Sequence, residues 1–118
     1  MKKLIILMML LMLTPTAALA HIMPDHTDPA VGSTVSSSPK EVKIWFDGPV
    51  GVEKSKVDIF DAAGKSVVTG KLHGNDQDNK ELIVPIAAEH GKFTVKWDAY
   101  CPDCEHTTHG TYTFTVEP

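Results

Sequence analysis

The feature that most constrains this chain is an alternation of apolar and polar residues. In Glu41–Phe46 the side chains of Val42, Ile44 and Phe46 are interleaved with Lys43 and Trp45. Residues 92–98 put Phe93, Val95 and Trp97 on one face, and residues 110–116 do the same with Tyr112, Phe114 and Val116, with threonines between them. A period of two marks a half-buried strand, because successive side chains of extended backbone point to opposite sides. No stretch after the first 20 residues keeps a helical period for more than one turn. Further strands are expected over 56–61, with Val57 and Ile59 on one face, and over 66–72, after the turn Ala62-Ala63-Gly64. Residues 82–86 form another, in which Pro85 implies an edge or a bulge. Pro24 and Pro29 favour an extended arm ahead of all of these. About seven short strands with frequent turn signals predict an all-β fold, a Greek-key β-sandwich or barrel of immunoglobulin-like architecture.

The start of the chain obeys a different pattern. Met1-Lys2-Lys3 is a short positive segment, residues 4–13 are an unbroken apolar run, and Thr14-Pro15-Thr16 interrupts it before Ala18-Leu19-Ala20. This is the layout of a secretory signal peptide over 1–20 with an A-x-A cleavage site, and its apolar run is too short to span a bilayer. Cleavage there leaves one domain, residues 21–118, whose first residue is His21. Without Lys2 and Lys3 that domain has nine lysines and no arginine against fifteen acids, a formal charge of −6. An acidic surface without arginine argues against nucleic acid and anionic membranes as partners. Export implies an oxidising compartment in which paired cysteines form disulfides.

The densest chemistry lies in Cys101-Pro102-Asp103-Cys104-Glu105-His106-Thr107-Thr108-His109, which holds both cysteines of the chain. Thiolate, imidazole and carboxylate are the groups that bind transition metals. Several readings of this stretch stand side by side. Cys101 and Cys104 pair as a disulfide that stiffens a loop, worth only about 2 kcal/mol for so short a ring. Alternatively they join His106 and His109 in a zinc site, although four ligands this close are tighter than the usual two-knuckle arrangement. A thioredoxin-like role lacks the βαβ context it needs. His106 and His109 also read as two solvated loop histidines. His73 and His90 lie in polar turns and read as surface residues, whereas His26 and Met23 travel on the same arm as His21.

A histidine at the first position offers its α-amine and its ring Nδ1 to one metal. Cu(II), which favours nitrogen and oxygen ligands and heads the divalent affinity order, is the metal best able to displace the amine proton near neutral pH.

These pieces resemble the CopC-like periplasmic copper carriers. The matching segments are the leader ending before His21, then Asp28-Pro29-Ala30-Val31-Gly32-Ser33-Thr34-Val35, Pro39-Lys40-Glu41-Val42-Lys43-Ile44-Trp45-Phe46 and Pro49-Val50. Gly91-Lys92-Phe93-Thr94-Val95-Lys96-Trp97 and the run from His106 to Val116 follow in the same order. The resemblance implies a Greek-key β-barrel or sandwich. It also implies a Cu(II) site made by the N-terminal histidine together with an aspartate and a histidine from an Asp-x-His motif before the last strand. Carried over by position, His21 is the first ligand and His106 the second histidine. The carboxylate position falls on Cys104, with Asp103 and Glu105 beside it, so either Asp103 reaches the metal or Cys104 replaces it and softens the site toward Cu(I). The family's methionine-rich Cu(I) site has no counterpart, since Met23 is the only methionine after residue 20.

The expected function is therefore a periplasmic copper-binding protein, monomeric and not an enzyme, that sequesters or transfers copper in copper resistance or homeostasis. Its metal candidates are His21, Asp103 and His106, followed by His109, Cys104 and Cys101. Cu(II) is the expected state, with Cu(I) reachable through the cysteines. The resemblance adds an inner-membrane copper transporter as acceptor. Two rivals stand beside this reading: a histidine-brace copper enzyme that oxidises a polymer, and a disulfide-stapled sandwich that binds no metal.

Overall fold

The structure, a computed structural model, describes residues 21–118; the leader lies outside the described residues. The described strands are β1 (Pro24–Asp28), β2 (Thr34–Val35), β3 (Glu41–Phe46), β4 (Lys56–Phe60), β5 (Glu81–Pro85), β6 (Gly91–Cys101) and β7 (His106–Val116). They form two sheets, ordered β1-β3-β5 and β2-β7-β6-β4. Every pairing is antiparallel except that of β2 with β7. This is the expected all-β sandwich.

The alternating residues meet between the sheets. Val42, Ile44, Phe46, Leu82 and Val84 of one sheet face Ile59, Phe93, Val95, Trp97, Tyr112, Phe114 and Val116 of the other, all buried. Fully burying an aliphatic or phenylalanine side chain of this size stabilises the fold by roughly 1.5–3 kcal/mol. Two aromatic pairs organise the layer: Phe93 stacks on Phe114 at 5.3 Å, and Trp97 meets Phe46 edge-on at 5.5 Å.

Three local expectations change. Residues 66–72 form isolated bridges instead of a strand, because Ser66 pairs with Phe60 of β4 while Val68 pairs with Ile86 just beyond β5. The segment crosses from one sheet to the other and stays with neither. Within the turn-rich stretch before Pro39, Thr34 and Val35 pair in parallel with Thr115 and Val116. Lastly, the expected long cysteine–histidine loop is mostly strand: β6 and β7 each run for 11 residues and leave only 102–105 as a turn. The β-branched threonines at 107, 108, 111, 113 and 115 suit that extended backbone.

Candidate metal centre at the open end of the sandwich

The β6–β7 ladder determines which side chains can meet. Cys101 pairs with His106, Ala99 with Thr108 and Trp97 with Gly110, in register with the buried pair Phe93 and Phe114. Directly opposed residues of antiparallel strands share a face. His106 and Thr108 therefore lie on the core-facing side, at the end of the hairpin where the apolar layer runs out. His109 lies on the outer side, opposite Asp98, and its Nδ1 is 2.7 Å from Asp98 Oδ1. The ladder thus brings His106 to the inner face and leaves His109 on the other one.

The N-terminal arm reaches this end by three backbone anchors. Thr108 Oγ1 donates to the carbonyl of Ile22 at 3.0 Å, across 86 positions of sequence. The Met23 N–H donates to Asp47 Oδ1 at 2.9 Å, and the Asp47 N–H returns a bond to the Met23 carbonyl at 3.0 Å. Ile22 itself is buried in the core. Held in this way, the His21 ring lies 5.4 Å from the ring of His106, with the planes at 74°. Neither Asp47 nor Thr108 stands out in the sequence. Thr108 shares a face with His106 two residues away, and that was the available signal.

The turn between the strands is tied internally. Cys101 and Cys104 form a disulfide with a Cα–Cα distance of 5.5 Å. The Glu105 N–H donates to the Cys101 carbonyl at 2.9 Å, with Glu105 in the left-handed region at φ 56°. The Cys104 N–H points at Cys101 Sγ, 3.2 Å away. Asp103 is exposed on the same turn. Sulfurs bonded to each other are not thiolates and in this state offer no thiolate ligand.

The remaining histidines lie elsewhere. His26 stacks on Trp45 at 4.3 Å on the outer face of the other sheet, with its Nδ1 3.1 Å from Asp25 Oδ2. His73 and His90 are exposed. Among the described residues no three His, Cys, Asp or Glu side chains are gathered closely enough to enclose a metal ion as placed. The donor set at the open end nevertheless fits copper in kind. Two imidazoles converge there, nitrogen donors of the kind copper takes, and the adjoining turn carries the exposed carboxylate of Asp103.

Comparison with known proteins agrees with this architecture. Residues 25–117 match the CopC domain model. The chain belongs to the CopC domain family. Protein YobA of Escherichia coli (strain K12) is 33% identical to this CopC-domain chain over 100 residues, covering 83% of it and 80% of YobA. Protein YobA of Shigella flexneri matches to the same extent. Among solved structures, CopC from Methylosinus trichosporium OB3b superposes with a TM-score of 0.76 at 31% identity, covering 83% of this chain and 95% of that one. PcoC from Escherichia coli, a methionine-rich copper resistance protein, superposes with a TM-score of 0.72 at 23% identity, a likeness of fold, over 83% of this chain and 100% of PcoC. In this CopC-domain chain Met23 is the one methionine among residues 21–118.

Proposed function

We propose that the chain, cleaved after Ala20, is a periplasmic copper-binding protein that sequesters copper or passes it on. Cu(II) is held by the amine and ring of His21, by the ring of His106 and by the carboxylate of Asp103. The observation that carries this reading is the convergence of His21 and His106, their rings 5.4 Å apart at the open end of the sandwich. The arm is anchored one and two residues beyond His21, so its free amine, once cleavage exposes it, is delivered beside the His106 ring. With both sulfurs in the disulfide, Asp103 is the hard oxygen donor of the turn and the better partner for Cu(II). Membership of the CopC domain family, and the copper resistance role of PcoC, support copper as the cargo. The resemblance gives an inner-membrane copper transporter as the acceptor of a monomeric carrier.

The aromatic residues favour a carrier over a histidine-brace enzyme. Trp97 is buried in the core and Trp45 is stacked under His26 on the outer face, so neither lies beside His21 and His106 as a platform for a polymer.

The test is Cu(II) titration, followed by EPR, of protein beginning at His21 and of protein carrying one extra residue before it. The native start should give one nitrogen-rich site per chain. The extra residue removes the amine and should weaken that site by roughly 100-fold or more, since even an outer partner of a ligand is worth 10–100-fold. Equal affinities would show that the amine is not a ligand.

A further inference from the structure

The cysteines lie at the same end of the hairpin as His106, and the turn that carries them is held by a backbone bond as well as by the disulfide. Cys101 ends β6 directly opposite His106, the first residue of β7. Opposed residues on one face of an antiparallel pair have their Cβ atoms about 4.5–5.5 Å apart. The Cys101 sulfur and the His106 imidazole therefore project from the same side of the same rung. Cys104 is brought back to Cys101 by the turn, whose Glu105 N–H to Cys101 carbonyl bond at 2.9 Å involves no sulfur. Cys101 is only 6% exposed at the margin of the apolar core, and Cys104 packs half-buried against it. The Cys104 N–H lies 3.2 Å from Cys101 Sγ, a donor already aimed at the position where a thiolate would form.

We propose that reduction of the Cys101–Cys104 disulfide turns this end of the sandwich into a Cu(I) site, formed by the two thiolates and the His106 ring. Soft sulfur ligands select Cu(I), as hard nitrogen and oxygen ligands select Cu(II). The switch balances as thiol–disulfide exchange with a dithiol reductant: the S–S bond takes two electrons and two protons, and the reductant becomes a disulfide. Cu(I) then replaces the two thiol protons, which are released to solvent. Met23 is the only other sulfur among residues 21–118, so the cysteines are the soft donors that this chain brings to the hairpin end. The inference rests on the proposed copper role and extends it, because His106 serves both metal states while His21 and Asp103 serve only Cu(II).

The experiment is anaerobic titration of Cu(I) against a chromophoric Cu(I) chelator, using the disulfide form, the dithiol-reduced form, reduced His106→Ala and the double variant Cys101→Ser/Cys104→Ser. The reduced protein should withhold one equivalent of Cu(I) that the disulfide form and the double variant yield to the chelator. Reduced His106→Ala should bind it about tenfold or more weakly, the least expected from loss of a direct ligand. Equal Cu(I) retention by the oxidised and reduced wild-type protein would overturn the proposal without relying on any variant. So would full retention by His106→Ala, which would remove the histidine from the site. The same samples are titrated with Cu(II) in the disulfide form. Loss of Cu(II) binding there, with cysteine-dependent Cu(I) uptake intact, would refute the Cu(II) reading and leave the thiol site standing.

Discussion

Replacing Gly110 with alanine tests the packing on which the hairpin depends. Gly110 pairs with Trp97 across the β6–β7 ladder, and the indole lies against the space where a side chain would start. A Cβ at Gly110 would sit 2.5 Å from Trp97 Cε2 and 2.7 Å from Nε1. The ring has little room to withdraw, since it is 5% exposed and is met edge-on by Phe46. Two effects oppose each other. Forcing a methyl group into a packed core costs about 1–3 kcal/mol. Removing the freedom of glycine from the unfolded chain returns about 0.4–1 kcal/mol. The clash wins, and Gly110→Ala should be destabilised by roughly 1–2 kcal/mol. For a domain of this size each kcal/mol moves Tm by about 4–8 °C, so the melting point should fall by roughly 5–15 °C. Differential scanning calorimetry gives the shift, and near-UV circular dichroism reports the tryptophan environment. An unchanged or higher Tm would mean that the indole does not cover Gly110, and the packing of the inner face toward the hairpin end would fail with it.

Ser55 and Tyr112 give two further tests of buried polar groups. Ser55 is buried, donates to the Gly51 carbonyl at 2.6 Å and accepts from the Tyr100 N–H at 3.0 Å. Ser55→Ala should lower the unfolding free energy by about 1–3 kcal/mol in a urea titration, and a loss below that would mean water replaces the hydroxyl. Burial pushes the Tyr112 phenol well above its ordinary range. Thr27 opposes the shift and the nearby Asp28 carboxylate adds to it. Thr27 gives its own hydroxyl proton to the Pro29 carbonyl, and the Tyr112 hydroxyl is enclosed without a hydrogen-bond partner among the described residues. The folded state therefore holds this proton more tightly than the unfolded chain does. Its contribution is fully present below the unfolded pKa of about 10 and is lost as pH rises beyond it, at up to about 1.4 kcal/mol per pH unit. Tyr112→Phe should be neutral to stabilising at pH 7 and should flatten that alkaline loss; identical profiles for both proteins would remove the assignment.

The fold was legible where side chains alternate against one core. The inward sets of β3, β6 and β7 read from the sequence are the ones buried in the structure. Residues 66–72 were not legible, because a segment pairing with both sheets has the composition of a strand without the continuous ladder of one. The two-residue β2 carries no periodicity to detect. At the hairpin end, composition singled out the stretch from Cys101 to His109, and family resemblance singled out His21 and His106. Local sequence could not show that His109 is turned away. Residues three apart face opposite sides once the segment is a strand, but 106–109 read as a loop, and here His109 finds Asp98 outside. The anchoring of the arm by Thr108 and Asp47 is likewise tertiary, since each contact joins segments distant in sequence.

The spacing from His106 to the buried residues of β7 makes parity along that strand a property of the protein. Four residues, 102–105, close the hairpin. A one-step slide of β7 against β6 would turn Tyr112, Phe114 and Val116 out of the core, so the buried face holds the register. His106 stands an even number of residues before those three and shares their side by the period of the strand. A residue added to the turn is therefore absorbed in the loop. Chains built on this hairpin can vary the turn in composition and in length and keep the inner histidine, whereas a residue inserted between His106 and Tyr112 would turn it outward.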